Sequence, residues 1–379
     1  MARSPGLGSG DLQPSSLLIR RGPIISTRSR LRRPGLESGS LIAAAVLLIA
    51  AAWAPTPYVI ERPGPTFDIA GQVDDEPIMS IDGAQTHPSQ SRFDFSTVYV
   101  VGGPGSSPRV LDTVRSWADP GRAVVPLEVM YPPSTTREQV TDSGTAAMES
   151  SQDMAIAAAL QDLGRDYDTR LIVRSALPGA PAEAAFREGD ELLALDGRPI
   201  GSLEALRADL EQISDTTAQV TVLRDGREET VGVETVELDG THQLGVYLDR
   251  EFDFPLEVDF GLEEVGGPSA GMMLSLSIID RLTEGSLAGD HHVAGTGTID
   301  AQGDVGPIGG IRQKLIGASE SGVELFLAPV ENCDEVVGHV PDGLTVVAVD
   351  TLDDAEAAVT TLAEAGDLSA LPGCPAAGR

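Results

Sequence analysis

Two short stretches decide how this chain of 379 residues is interpreted: Gly266-Gly-Pro-Ser-Ala-Gly271 and, later in the sequence, Gly306-Pro-Ile-Gly-Gly-Ile-Arg-Gln-Lys314. In the first, the glycine pair permits a sharp turn and the proline fixes φ, so a helix is predicted to begin at or just after Ser269. Free backbone N–H groups and the positive end of a helix dipole can stabilise an oxyanion there. A plain helix cap is the alternative role for this serine.

Lys314 is the only lysine in the sequence; all other basic side chains apart from histidine are arginine. Arginine stays protonated in proteins, whereas a buried lysine can lose its proton and act as a base. The residues that follow, Leu315-Ile-Gly-Ala318, provide a weakly polar setting. Scarce lysine alone can be an accident of composition, and a surface lysine is the alternative. With Ser269 upstream, the pattern predicts a Ser-Lys hydrolase.

Composition limits the classes of partner. The formal net charge is −32, and residues 1–38 carry seven arginines against Asp11 and Glu37, so the remainder carries about −37. Such an acidic body repels phosphates, which argues against a nucleic-acid partner. Apolar residues make up 41% and aromatic residues 4%. Cores of Val, Leu, Ile and Ala in two or three domains are therefore expected.

The N-terminal region has the pattern of a membrane anchor. Residues 1–37 are rich in Ser, Pro, Gly and Arg and are predicted to form a disordered, basic cytoplasmic tail. Residues 38–60 carry no charge and are predicted to form one transmembrane helix, with Trp53 and Tyr58 placed like interfacial anchors. The arginines before it predict that the bulk of the chain lies outside the cytoplasm, on a single-pass protein of the cell membrane. A signal peptide cleaved after Ala52-Trp-Ala54 is the alternative.

Cys333 and Cys374 are the two cysteines. In an exported chain they can form a disulfide that fixes the C-terminal tail, residues 367–379, or remain two unpaired thiols. No Cys/His spacing or His-Glu-x-x-His motif indicates zinc. Asp290-His-His292 follows a glycine in a polar turn and is interpreted as a solvated loop. No metal and no cofactor are expected.

Residues 166–236 differ in character from their surroundings. They contain Pro178-Gly-Ala-Pro-Ala182, then Gly189-Asp-Glu-Leu-Leu-Ala-Leu-Asp-Gly197, and later a hairpin with Asp225-Gly226 at its turn. This combination resembles a PDZ domain of the bacterial protease type, which is a β-sandwich module. The resemblance implies that an extended peptide binds as an added strand.

The resemblance also implies where the peptide groove lies. It is expected between the strand of Leu171, Ile172 and Val173 and the helix that Ser202 caps. Leu206 and Leu210 of that helix are candidates to line the groove, and a purely structural role in the core is the alternative. The usual carboxylate-binding loop would fall around residues 167–170, which lack the familiar glycine-rich form.

Residues 240–366 alternate between strand and helix patterns, and the chain as a whole is predicted to be α/β (α+β). Predicted strands are Leu244–Leu248, Pro255–Phe260, Val293–Ile299, Leu325–Ala328 and Thr345–Val349. Predicted helices are Ser269–Leu282, Gly310–Ser321 and Asp353–Ala365. An earlier long helix is predicted over Thr136–Leu163, ended by Gly164.

Several motifs in this last block carry a second resemblance. Gly267-Pro-Ser-Ala-Gly271, Gly295-Thr-Gly-Thr-Ile299, Gly306–Lys314 and Ala328-Pro-Val-Glu-Asn332 look like the proteolytic domain of Lon proteases in order and spacing. The resemblance implies that Ser269 is the nucleophile and Lys314 the general base, oriented by Thr296. Gly267 and Pro268 support the serine. Two neighbours depart from the family pattern, since Gly266 replaces an acidic residue and Thr298 a glutamate.

Together the blocks resemble the membrane-anchored PDZ-Lon proteins of Gram-positive bacteria, actinobacteria included. Met148-Glu-Ser-Ser-Gln-Asp-Met-Ala155 resembles the helix that opens the first half of a Lon proteolytic domain. Residues 61–163 are therefore predicted to be that first half and residues 240–366 the catalytic half, with the PDZ module inserted between them.

The expected function is a membrane-tethered serine endopeptidase that acts on unfolded or flexible extracytoplasmic proteins. The sequence has no Gly-x-x-x-x-Gly-Lys-[Ser/Thr] motif, so ATP-driven unfolding is not expected of this chain. Family analogy implies a homo-oligomer, commonly a hexamer. A catalytically silent PDZ scaffold of the cell envelope is the alternative. A trypsin-like PDZ protease is a poor third option, because it needs a His…Asp…Ser order with Gly-Asp-Ser-Gly before the PDZ block, and the sequence has none there.

Overall fold

The structure is a computed structural model that describes residues 36–73, 76–212, 217–238, 241–262, 265–365, 368 and 371–374. Its first element is helix α1 (Leu36–Ala52). The predicted disordered tail lies outside the described residues, apart from the two that open α1. Among the helices in the described part of the chain, none combines the length and apolar character that a bilayer crossing requires.

The predicted transmembrane helix over residues 38–60 is wrong in its second part. The helix ends at Ala52, and strand β1 (Tyr58–Asp68) begins six residues later. Val59 and Ile60 are buried in the fold that follows, at 0% and 3% exposure. Their apolar character comes from this core position, because a strand stretch that is buried on both faces is continuously apolar, as a membrane segment is.

The elements between β1 and the end of the long helix form the first part of the main fold. In chain order they are β2 (Gln72–Val73), β3 (Glu76–Pro77), β4 (Met79–Asp82), β5 (Arg92–Val101), α2 (Val110–Trp117), β6 (Ala123–Pro126), α3 (Leu127–Met130) and α4 (Arg137–Asp162). The long predicted helix is confirmed as α4. Thr136 caps it in a reciprocal capping box with Gln139, and Gly164 follows it at φ +62°.

A second sheet follows α4. It contains β7 (Asp168–Ala176), α5 (Ala182–Ala185), β8 (Glu191–Leu195), β9 (Arg198–Pro199), α6 (Leu203–Glu211), β10 (Thr217–Arg224), β11 (Arg227–Glu234), β12 (Val236–Leu238), β13 (Thr241–Gln243) and β14 (Val246–Asp253). The strand order is β11-β10-β8-β7-β14, with β9 on β8 and β12 paired to β13. Its core includes Leu171, Val173, Leu206 and Leu210.

The strand predicted at Leu244–Leu248 belongs to this second sheet, which corrects its assignment to the last block. The strand runs from Val246 to Asp253 and pairs antiparallel with β7 along its whole length. Its half-buried residues Val246 and Leu248 pack against the core of the second sheet. Sequence alone did not reveal this, because the partner strand lies about 75 residues earlier in the chain.

The remaining elements follow the second sheet in the chain, from Glu257 to Ala365. They are β15 (Glu257–Phe260), α7 (Gly271–Leu282), β16 (His292–Gly295), β17 (Thr298–Ile299), β18 (Val305–Gly306), α8 (Ile311–Glu320), β19 (Leu325–Pro329), α9 (Cys333–Val336), β20 (Thr345–Val349) and α10 (Leu352–Ala365). The predicted helices match α7, α8 and α10 to within two residues at their starts. Cys333 and Cys374 form a disulfide, which ties residue 374 of the tail to α9.

One six-stranded sheet contains strands from two parts of the chain, one before and one after the residues that form the second sheet. Its order is β20-β19-β16-β5-β1-β6, and β16 lies parallel to β5 with Gly295 opposite Phe95. Helix α4 packs on α7, and helix α8 packs on β1 and β5. The prediction of a discontinuous proteolytic domain with an inserted module remains a prediction.

Candidate active site

Ser269 lies in the turn that leads into α7, two residues before the helix begins. Gly267 has φ +93°, a left-handed conformation that favours glycine, and its N–H donates to the carbonyl of Gly144 at 2.9 Å. Pro268 then directs the chain into α7. The turn thus places the serine side chain at the N-terminal end of a buried helix, as the sequence predicts.

Lys314 lies in the second turn of α8, close to that serine. Gly310 precedes α8 in a left-handed conformation, at φ +72°. The side chain of Lys314 is only 3% exposed. Its Nζ is 2.7 Å from Ser269 Oγ, although the two residues are 45 apart in sequence. The structure therefore brings the predicted nucleophile and base into direct contact.

Thr296 contacts both the lysine amine and the backbone of Ser269. Its hydroxyl donates to the carbonyl oxygen of Ser269 at 2.9 Å, and the same oxygen is 2.8 Å from Lys314 Nζ. Because the hydroxyl has one proton, which the Ser269 carbonyl accepts, the threonine oxygen must accept from the amine. One N–H of Lys314 is then fixed, and the lone pair of a neutral amine can point at Ser269 Oγ. Thr296 itself is fully buried.

Burial lowers the pKa of Lys314 to about 7. The physical cause is desolvation, which penalises the charged ammonium more than the neutral amine. A lysine in water has a pKa near 10.4 and is almost wholly protonated at neutral pH. Here a substantial fraction of the amine is neutral near pH 7, which is the state that a general base requires.

Other residues hold the site in place, and sequence reasoning did not identify them as supports. Ser151 of α4 donates its hydroxyl to the carbonyl of Pro268 at 3.0 Å, and Ser96 of β5 donates to the carbonyl of Gly295 at 3.0 Å. Both come from the segment before the second sheet. Ser151 lies in a stretch for which a resemblance to Lon domains was noted, Met148–Ala155. Isolated serines carry no signal of their own.

A close approach between the backbones of α8 and β1 also positions Lys314, which α8 carries. A Cβ at Gly317 would overlap the carbonyl oxygen of Gly64 in β1. Glycine at this position lets α8 lie directly on β1. Lys314 is three residues earlier, on the same side of the helix. The strand that follows the N-terminal helix therefore supports the candidate base.

The structure corrects the expected peptide groove. Strand β7, with Leu171, Ile172 and Val173, is an inner strand between β8 and β14, so neither of its edges is free to pair with a peptide. An open groove lies instead between α6 and the start of β14. The residues that line this groove are Leu203, Leu206, Arg207, Leu210, Glu211 and residues 241–248. Leu206 and Leu210 border the groove, but they are only 2% and 5% exposed and belong to the core of the second sheet, as the alternative role predicts. The three β7 residues do not border it.

The residues considered as metal ligands make other contacts. His291 Nδ1 lies 3.0 Å from Glu324, and His292 Nε2 lies 3.0 Å from the buried Asp94. Within the described residues, no cluster of three or more His, Cys, Asp or Glu side chains has the arrangement of a metal site.

Two known protein families match parts of this chain. Residues 252–361 match the Lon protease (S16) C-terminal proteolytic domain, and residues 147–235 match the PDZ domain. The chain contains a Lon-type proteolytic domain and a PDZ domain. The Lon-type match includes Ser269, Thr296 and Lys314. The PDZ match begins inside α4, before the second sheet.

Curated relatives are similar over the Lon-type domain. A Lon protease of Campylobacter concisus is 37% identical over 109 residues, which cover 28% of this chain and 13% of that protein. Lon protease 2 of Herpetosiphon aurantiacus is 40% identical over 119 residues, covering 30% and 14%. The chain therefore spans only about a seventh of the length of the curated relatives it matches.

Solved structures match about a fifth of the chain. The PDZ domain of the SdrC-like protein from Listeria monocytogenes has 20% sequence identity and a TM-score of 0.20, covering 21% of this chain and 85% of that one. A protein from Geobacillus thermodenitrificans has 26% identity and a TM-score of 0.19, covering 20% and 92%.

Proposed function

We propose that this protein is a serine endopeptidase in which Ser269 attacks a peptide carbonyl and neutral Lys314 accepts the serine proton. The observation that carries the proposal is the 2.7 Å contact between Lys314 Nζ and Ser269 Oγ in a buried setting. The similarity to Lon proteolytic domains supports the reaction class.

The reaction follows from the position of each group. Ser269 Oγ forms a bond to the substrate carbonyl carbon as its proton moves to Lys314 Nζ. Backbone N–H groups in the turn around Ser269, at the start of α7, stabilise the oxyanion. The ammonium of Lys314 then returns a proton to the leaving amine, and the peptide bond breaks. Water hydrolyses the acyl-enzyme with the amine again acting as base.

The proposed substrates are unfolded proteins or flexible extracytoplasmic segments, since the sequence carries no nucleotide-binding motif for an unfolding motor. The direct test is cleavage of casein, an unfolded protein, by the full chain without ATP. Cleavage supports a peptidase. If the pure wild-type protein leaves casein intact, the catalytically silent scaffold becomes the better account.

We also propose that the second sheet recruits substrate through the groove between α6 and β14. A peptide that lies there would pair with β14 as an added strand and pack its side chains on the leucines of α6. This is a second role for the chain. It rests on the place of β14 at the edge of the second sheet among the described residues, and not on the predicted strand β7.

Leu203→Glu tests the groove, because it places a charge on a half-buried lining residue. We expect the KM for casein to rise on the order of tenfold, equivalent to about 1.4 kcal/mol of lost binding, while kcat is kept. Ala205→Glu is the matched control, since it adds the same charge to an exposed residue of the same helix. Equal KM values for the two variants would rule out the groove as the recruitment site.

For the region before β1, we propose membrane attachment with the N-terminus in the cytoplasm. The proposal rests on the uncharged residues 38–57 that precede β1 and on the seven arginines before them. Fractionation of cells that express the full chain tests it, since the protein should remain with membranes after a high-salt wash. An oligomeric assembly, a hexamer by analogy with Lon domains, is a further proposal for sedimentation analysis.

A further inference from the structure

Helix α2 has its polar and apolar faces reversed relative to an ordinary surface helix. Thr113 and Ser116 are buried at 2% and 1% exposure, whereas Leu111, Val114 and Trp117 are 40%, 51% and 61% exposed. The three apolar side chains are spaced three residues apart and so share one face of the helix. An amphipathic helix in a water-soluble fold normally turns its apolar face to the core. The apolar face of α2 therefore lies where a partner is expected.

The position of α2 identifies that partner. The N–H of Val110 donates to the carbonyl of Ala54 at 3.0 Å, and the N–H of Thr56 donates to the carbonyl of Pro108 at 2.9 Å. The hydroxyls of Thr56 and Thr113 are 2.9 Å apart, which explains why Thr113 is buried. The start of α2 is thus fixed to residues 54–56, which come directly after helix α1 in the chain.

Aromatic and arginine side chains surround this face. Trp117 makes an edge-to-face contact with Tyr58 at 5.7 Å between ring centroids. The guanidinium of Arg109 stacks 3.9 Å above the ring of Trp53, which is 59% exposed. Tryptophan, tyrosine and arginine are enriched where a protein meets lipid headgroups, because each combines an apolar body with a polar tip.

Charge favours the same partner. The chain carries a net charge of −32, so most of its surface is repelled by anionic lipids. On α2, Arg109 and Arg115 flank the apolar face against a single acid, Asp112. If the protein approaches a bilayer with the apolar face of α2, Arg109 and Arg115 meet the anionic headgroups, although the protein as a whole is acidic.

We propose that the face formed by Trp53, Leu111, Val114 and Trp117 lies in the headgroup region of a lipid bilayer. It would act as an interfacial helix that fixes the orientation of the protein on the membrane. This inference rests on the proposed membrane attachment of the N-terminal region. It adds a second lipid contact, made by the folded part of the chain.

The test uses the two tryptophans of the chain as reporters. In full-length protein with Trp53→Phe, Trp117 is the only tryptophan. The protein is bound to vesicles of phosphatidylcholine and phosphatidylglycerol, with or without brominated acyl chains, which quench tryptophan on contact. We expect Trp117 emission to shift to the blue on binding and to lose most of its intensity in brominated vesicles.

The matched control places the reporter at Val340, in a background of Trp53→Phe and Trp117→Phe. Val340→Trp introduces a tryptophan at a residue that is 41% exposed, in the loop before β20. This loop is at the opposite edge of the six-stranded sheet from β6, against which α2 packs. The two edges are roughly 20 Å or more apart. We expect no bromine quenching of this reporter.

The outcomes separate the two proposals. If the protein floats with vesicles but Trp117 is unquenched, the interfacial helix is overturned and membrane attachment stands. If the protein does not float, both are overturned. A blue shift of Trp117 that grows with protein concentration in the absence of lipid would overturn the bilayer in favour of a second copy of this chain.

Discussion

Full-length protein with Lys314→Met is expected to cleave casein at least about 10²- to 10⁴-fold more slowly than the wild type, the range that a positioned general base contributes. Methionine fills the buried site of Lys314 with a similar chain but has no amine to accept the proton of Ser269. Ser269→Ala should lose activity at least as completely, because it removes the attacking oxygen. Initial rates of fluorescent casein cleavage at equal protein concentration measure both effects.

Lys314→Arg sharpens this prediction. It keeps a positive charge at the site, yet arginine does not release its proton near neutral pH, so we expect the variant to be inactive. Ser321→Ala is the matched control, since it removes an exposed hydroxyl from the end of α8 that bonds only within that helix, to the carbonyl of Gly317 at 2.9 Å. It should cleave at the wild-type rate. Undiminished cleavage by all the variants would exclude the Ser-Lys mechanism.

The second large effect is expected from Gly317→Ala. In an isolated helix this change is favourable by about 1 kcal/mol, because alanine is the better helix former. Here the new Cβ would overlap the backbone carbonyl oxygen of Gly64, which cannot turn away as a side chain would. We expect α8 to be displaced from β1 and the protein to be destabilised by about 1–3 kcal/mol.

Activity should fall together with stability in Gly317→Ala, because Lys314 moves with the helix. A shift of about 1 Å at a catalytic group can cost on the order of 10²-fold in rate. Gly309→Ala is the matched control, since a Cβ there meets no atom within 4 Å. Chemical denaturation and casein cleavage are measured on both variants. If Gly317→Ala has an unchanged or raised free energy of unfolding and cleaves casein at the full rate, then β1 does not position α8 and its Lys314.

Much of the local structure could be predicted from the sequence, because it depends on local signals. The helix α4 follows from its capping box and its apolar spacing, and α7 and α8 follow from the glycine-rich turns before them. Long-range pairing was harder to predict. The strand predicted at Leu244–Leu248 was assigned to the last block, because nothing in residues 246–253 indicates that the partner of β14 is β7.

Apolar runs were the other source of error. Val59 and Ile60 extend the uncharged run after α1, yet the structure places them in a sheet core. A hydrophobicity pattern cannot distinguish a membrane from a protein interior, since both exclude water. Conversely, the exposed apolar face of α2 has the sequence of an ordinary buried helix face, and only its burial pattern distinguishes it.

The candidate site was predicted best where a motif specified it. Ser269, Thr296 and Lys314 come from three separate stretches, and the structure places them within hydrogen-bond distance of one another. The supports from Ser96, Ser151 and Gly64 were missed, because each acts through a tertiary contact with a partner more than 100 residues away. Such contacts leave no pattern in a single sequence.

The central claim is that neutral Lys314 activates Ser269, and the rate of covalent labelling of that serine against pH tests it most directly. A fluorophosphonate reacts with an activated serine, and intact-protein mass spectrometry follows the adduct without any need for the natural substrate. Since the pKa of Lys314 is lowered to about 7, the labelling rate should rise about tenfold per pH unit below pH 7 and level off above it. Ser269 should carry the label, and Lys314→Met should label far more slowly with no inflection near pH 7. Labelling of Lys314→Met at the wild-type rate, or a wild-type rate independent of pH between about 5 and 8, would contradict the account.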